Sequence, residues 1–217
     1  MAIENNSAFY QGKKLPHWQP AGATFFITMR LFGSIPKHII AQHKAQKDIE
    51  AKELTRIFHN DPFSLADQLY DLDKKYFAIF DKELDKSNEP YWLQEKAIAE
   101  IVKESIQFFE EKEIITHAYC IMPNHLHWVF THKEEAEVLW TVLQRMKSFS
   151  AKEANKILKS NGKFWEEESY DHIVRDTKEF DNIVLYTLQN PVKAGFVKEW
   201  KDWKDWEFSY VNQDFWK

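Results

Sequence analysis

The spacing of hydrophobic and polar positions changes along the chain. Over 24–32, TFFITMRLF, the residues Phe25, Ile27, Met29 and Leu31 alternate with Thr24, Thr28 and Arg30. That period of two predicts a strand with one face in the core, ended by Gly33, Ser34 and Pro36. Residues 38–112 lose the alternation and predict three helices near 38–59, 64–86 and 92–110. Their breaks fall at Asn60-Asp61-Pro62 and Ser87-Asn88-Glu89-Pro90. Strand patterning returns over 114–122 and 125–131, where Leu126, Trp128 and Phe130 share one face and His125, His127 and Val129 the other. Pro123-Asn124 between these runs predicts a tight hairpin. A helix follows over 138–159, with an apolar stripe through Leu139, Val142, Leu143, Met146, Phe149 and Ile157. A short fourth strand is expected near Lys163 to Trp165, then a helix near 177–189 running into Asn190-Pro191, then a Trp-rich tail from 198. No internal repeat is present. The order predicts an α+β fold, with helices packed on an antiparallel sheet.

Composition narrows the class. The 217 residues suit one domain (1–217), and 44% hydrophobic and 16% aromatic content supplies a core and excludes disorder. A lone cysteine, Cys120, excludes an intramolecular disulfide and a cysteine-based zinc finger. The opening MAIENNSAFYQGKK has no apolar signal-peptide region, and the Phe25 to Met29 run is too short to span a bilayer. A soluble protein of a reducing compartment, without a membrane partner, is the expectation.

A net charge of −5 argues against a nucleic-acid partner only until it is divided. Residues 38–112 hold 11 basic and 16 acidic side chains, and the rest of the chain holds 18 of each. Within 142–163 there are six basic residues and one acid, and Arg145, Lys152, Lys156, Lys159 and Lys163 line one helix face. A solvated surface and a phosphate-tracking face both account for that stripe. Seven of the last 18 residues are aromatic, suited to covering a sheet edge or to stacking bases.

Two constellations carry candidate chemistry. His125-Leu126-His127 puts two imidazoles on one strand face, where they can converge on a metal. Read alone, so short a pattern is more often a pair of exposed strand histidines. In Tyr186-Thr187-Leu188-Gln189-Asn190-Pro191, Tyr186 and Asn190 share a helix face at i, i+4. Pro191 disfavours helical geometry at the residue before it, which predicts that Asn190 ends the helix. A core-edge tyrosine and an asparagine cap explain this hexapeptide without chemistry.

Taken together, these segments resemble the REP-associated tyrosine transposases of the single-tyrosine HUH superfamily. Met122-Pro123-Asn124-His125-Leu126-His127 is similar to that family's MPNHxH signature. Phe164-Trp165-Glu166 with Tyr170-Asp171-His172-Ile173-Val174-Arg175 resembles FWxxxxYDHxxR, and Tyr186 to Val197 resembles YxxxNPVxAGLV. Pro16-His17-Trp18, the strand from Gly22, Lys147-Ser148 and Trp206-Glu207-Phe208-Ser209-Tyr210 match further elements in the family's order. The resemblance implies a ferredoxin-like antiparallel sheet with helices on one face. Against the shortest members of that family, 38–112 is a helical insertion after the first strand, and 198–217 is an aromatic tail. The resemblance also implies Mg²⁺ or Mn²⁺ held by His125, His127 and Asn190, and Tyr186 as nucleophile. Arg30, Arg145, Lys147, Lys152, Arg175 and Lys193 become candidate DNA contacts. The implied activity is cleavage and transfer of single-stranded DNA at REP-like hairpins through a 5′-phosphotyrosine. The competing reading is a catalytically idle hairpin binder. A cytoplasmic, nucleoid-associated monomer or homodimer is expected. DNA is expected to meet the sheet near His125, His127 and the 145–163 stripe, away from the acidic 38–112.

Overall fold

The computed structural model describes residues 8–11, 16–20, 22–86, 89–110, 112–203 and 209–212, with backbone alone for 8–11 and 16–19. Two compact units result, one formed by 1–32 with 91–217 and one by 33–90.

In the larger unit, β1 (Ala8–Gln11) and β2 (Pro16–Gln19) form an antiparallel pair, and β3 (Thr24–Arg30) opens the main sheet. The smaller unit, 33–90, contains α1 (Lys37–Ile57) and α2 (Pro62–Asp85). The break at Asn60-Asp61-Pro62 is a helix start: the Asp61 carboxylate accepts the Ser64 N–H at 3.0 Å, and Pro62 occupies the first turn. Glu50 of α1 accepts from Lys75 Nζ at 2.7 Å and from Tyr76 Oη at 3.0 Å, tying the two helices together.

The third predicted helix belongs to the larger unit. It is α3 (Lys96–Glu110), and it buries Ile98, Ala99, Val102, Ile106 and Phe109. The helical elaboration expected over 38–112 therefore divides at Pro90. Next come β4 (Ile114–Ile121), β5 (His125–His132), α4 (Leu139–Ile157), β6 (Tyr170–Ile173), α5 (Thr177–Lys193) and β7 (Ser209–Val211). The five-stranded sheet has the order β6-β3-β5-β4-β7 and is antiparallel throughout. Its first four strands, with α3 and α4 as crossovers, have the ferredoxin-like connectivity that the family resemblance implies.

Phe25, Ile27 and Met29 of β3 and Leu126, Trp128 and Phe130 of β5 join Val142, Leu143 and Met146 of α4 in one buried cluster. Each such side chain removed from water contributes about 1.5–3 kcal/mol. The opposite sheet face is covered by α5: Phe180 lies edge-on to His117, and Tyr186 lies against Phe26 and His127. Helices therefore occupy both faces, not one. The reason is that β3 and β5 are apolar or aromatic on both sides at their centres, through Phe26 and Val129 as well as the core stripe, and both sides need cover.

Two edges differ from expectation. Lys163 to Trp165 supplies an isolated bridge, Leu31 to Trp165, and the fourth strand is β6, paired with β3. Phe164 and Trp165 are spent on burial instead, with Trp165 Nε1 donating to Ser150 Oγ at 2.9 Å. β6 is half-buried with no apolar alternation, so period gave no sign of it. At the other edge, β7 pairs with β4 and Trp203 Nε1 donates to the Ile121 carbonyl at 3.0 Å, so these parts of the tail serve the sheet. Trp206, Phe208, Phe215 and Trp216 lie outside the described residues. Among the described residues no helix is long and apolar enough to cross a membrane.

Candidate active site

The β4–β5 hairpin sets the histidines. Met122 N–H donates to the His125 carbonyl at 2.8 Å, so Pro123 and Asn124 are the loop and β5 starts at His125. Leu31 N–H donates to the Asn124 carbonyl at 2.8 Å, which anchors the loop against the chain just past β3. His125 and His127 then share the face opposite Trp128, and both are buried. The exposed-pair alternative does not hold. Their Nε2 atoms are 3.0 Å apart. Each Nδ1 meets an oxygen: His125 at 2.6 Å from Asn124 Oδ1, and His127 at 2.8 Å from Thr28 Oγ1. Thr28 is the register partner of His127 on β3.

The tyrosine comes from α5. This helix begins at a reciprocal cap in which the Asp176 carboxylate accepts the Glu179 N–H at 2.8 Å, and Glu179 Oε2 accepts the Arg175 N–H at 2.9 Å. Glu179 Oε1 also pairs with His172 Nε2 of β6 at 3.2 Å, joining the helix start to the sheet edge. Three turns on, the Tyr186 ring stands edge-on to Phe26 (6.0 Å between centroids, 89°) and to His127 (5.7 Å, 71°). Lys193 Nζ lies 5.2 Å from the Tyr186 ring centroid.

Asn190 does not end the helix, which continues through Pro191 to Lys193. A proline in the last turn forfeits one hydrogen bond, and Ala194 N–H to the Asn190 carbonyl (2.9 Å) with Gly195 N–H to the Val192 carbonyl (2.9 Å) close the end regardless. Asn190 is consequently held on the Tyr186 face, fully buried. Its Nδ2 donates to the Tyr186 carbonyl at 3.5 Å, while Oδ1 is buried with no hydrogen-bond partner. Such an oxygen costs about 1–3 kcal/mol unless something occupies its lone pairs. Two imidazole nitrogens 3.0 Å apart are ligand atoms of a kind that suits a divalent ion such as Mn²⁺.

His117 and His132, on the neighbouring sheet positions, bond elsewhere. His132 Nε2 donates to the Glu137 carbonyl at 2.7 Å, and His117 Nε2 meets Thr131 Oγ1 at 2.7 Å. Burial drives the His117 pKa down to about 4.

The six basic candidates separate. Arg30 lies on the histidine face opposite His125 and pairs with Glu166 Oε1 at 3.2 Å. Lys193 lies at Tyr186, and Arg175 is exposed at the start of α5. Lys147 is buried and gives its ammonium to the Glu166 and Glu167 carbonyls at 3.0 and 3.1 Å, which removes it from the surface where phosphate contact was expected. Arg145 and Lys152 are exposed on α4, Arg145 paired with Glu137 at 2.7 Å. Since α4 covers the face opposite His125 and His127, the basic stripe and the histidines do not form one surface.

No protein-family model matches the chain. A Haemophilus influenzae protein named for the REP-associated tyrosine transposases is 31% identical over 97 residues, 39% of this chain and 55% of that relative. The match thus spans about half of the curated relative's length. A solved structure, that of a REP-associated tyrosine transposase bound to a REP hairpin, aligns with a TM-score of 0.55 at 17% identity. That alignment covers 90% of this chain and 81% of the other. The fold is that of the REP-associated tyrosine transposases. Both comparisons fall in the family that the motifs resemble. Within this fold, sequence reasoning assigned no role to Thr28 or Asn124. Asn124 stood inside the MPNHLH motif as a signal; Thr28 had none, because only strand register brings it to His127.

Proposed function

We propose that the chain cleaves single-stranded DNA beside a hairpin and rejoins it through a covalent bond to Tyr186. The observation carrying this reading is the Tyr186 ring lying against His127, on the same helix face as a buried amide oxygen without a partner. His125, His127 and Asn190 would hold Mn²⁺ or Mg²⁺. When bound, such an ion supplies charge compensation to the scissile phosphate and its transition state.

The chain's own groups account for the rest. A mid-helix position flanked by Phe26 and His127 restricts the Tyr186 ring, so attack begins from an oriented nucleophile. The Lys193 ammonium, 5.2 Å from the Tyr186 ring centroid, puts a positive charge beside the nucleophile, where it would attract the DNA phosphate. Tyr186 Oη forms a bond to phosphorus as the bond from phosphorus to the 3′ oxygen breaks, and that oxygen takes up a proton. The phosphotyrosine keeps the energy of the phosphodiester. A 3′-hydroxyl can later attack it, release Tyr186 and join strands without ATP. The hairpin-bound relative supports a hairpin as the DNA partner.

The test is incubation of the protein with Mn²⁺ and oligonucleotides carrying palindromes from the DNA flanking its gene, read on a denaturing gel. A protein–DNA adduct is expected for wild type and none for Tyr186→Phe, which should still bind. Adduct at the normal rate from Tyr186→Phe would remove Tyr186 as nucleophile. Hairpin binding without cleavage under any divalent ion would leave the idle binder as the correct reading.

A further inference from the structure

We infer that Thr28 and Asn124 are positioning residues, which hold the two histidine rings so that both Nε2 atoms are offered to one ion. The inference rests on the reading that His125 and His127 bind a divalent cation. Each ring is gripped at Nδ1, by Thr28 Oγ1 at 2.8 Å and by Asn124 Oδ1 at 2.6 Å, and the two Nε2 atoms converge to 3.0 Å. All four residues are buried.

The grips have independent structural origins. Thr28 reaches His127 because β3 and β5 are in register there, at a sequence separation of 99. Asn124 reaches His125 because the two-residue loop turns it back, with its carbonyl fixed by Leu31 N–H. They also differ in chemistry. An amide oxygen only accepts, so Asn124 keeps the proton of His125 on Nδ1 and leaves Nε2 as the lone-pair nitrogen. A hydroxyl donates or accepts, so Thr28 holds the His127 ring in either tautomer. Polar partners at the distal nitrogen of a ligating imidazole orient the ring and raise its basicity, and losing one typically weakens metal affinity about 10- to 100-fold.

The experiment compares the full chain as wild type, Thr28→Val and Thr28→Ser. Mn²⁺ affinity is measured by titration calorimetry, and histidine tautomers by ¹⁵N NMR without metal. Valine keeps the shape and removes the hydroxyl; serine keeps the hydroxyl and removes the methyl. Thr28→Val is expected to bind Mn²⁺ about 10- to 100-fold more weakly and to shift the His127 tautomer signals, with Thr28→Ser close to wild type in both. Asn124→Ala is expected to weaken Mn²⁺ similarly while shifting the His125 signals. Wild-type affinity in Thr28→Val, or equal losses in the valine and serine variants, would overturn the positioning role alone. A wild-type protein that binds no Mn²⁺ would overturn the metal reading and this inference with it.

Discussion

Lys147 links a sequence expectation to a measurable pH dependence. Its ammonium sits 3.0 and 3.1 Å from the Glu166 and Glu167 carbonyls, and burial, with Arg30 nearby, pushes its pKa from 10.5 down to about 8. Below pH 8 both folded and unfolded chains carry the proton, and the cost of burying the charge is fully present. Between about 8 and 10.5 the unfolded chain binds more protons than the folded one, so stability rises with pH across that window. At 1.36 kcal/mol per pH unit the complete effect is about 3 kcal/mol, of which about 2 kcal/mol falls between pH 7.5 and 10. The neutral amine keeps two N–H donors for the same two carbonyls, so geometry survives deprotonation. Lys147→Met removes the titration and leaves the other ionisable groups in place. Urea unfolding followed by Trp fluorescence should show wild type gaining about 2 kcal/mol on Lys147→Met from pH 7.5 to 10. A difference that stays flat or moves the other way would refute a buried Lys147. A hairpin affinity whose salt dependence drops by about one phosphate contact in Lys147→Met would restore the sequence expectation.

Two further outcomes are expected. Asp176→Ala removes the side-chain acceptor for the Glu179 N–H and should lower stability by about 1 kcal/mol in the same unfolding assay, an effect centred on the helix that carries Tyr186. The Cys120 thiol is fully buried and its pKa is pushed up to about 12, so iodoacetamide at pH 8 should leave the native protein unmodified and label it in urea; mass spectrometry would read the difference.

Much of the framework was legible along the chain. The hairpin followed from Pro123-Asn124 between two strand-like runs, α4 from its apolar stripe, and the helices before it from the loss of alternation and the breaks between them. The histidine pair was visible as a same-face pair because a strand repeats every two residues. Tyr186 and Asn190 were visible because a helix brings i and i+4 together. The helix end was misplaced at Asn190 because the local rule against helical geometry before proline is weaker than the packing of α5 on the sheet. β6 escaped because its residues are only half-buried, so no apolar alternation marked it.

What the sequence determined by itself is the local geometry of each segment: which side chains share a strand face or a helix face, and where the chain turns. Those relations depend on backbone repeat alone and are indifferent to the rest of the molecule. Only the tertiary structure decided that Thr28 meets His127 across β3 and β5, that α5 covers the histidine face while the Arg145 and Lys152 side of α4 lies beyond the other, and that Lys147 turns inward to two carbonyls. Each of these depends on pairing and packing between segments far apart in sequence, where the best burial of both sheet faces, summed over many contacts, outweighs the preference of any single residue.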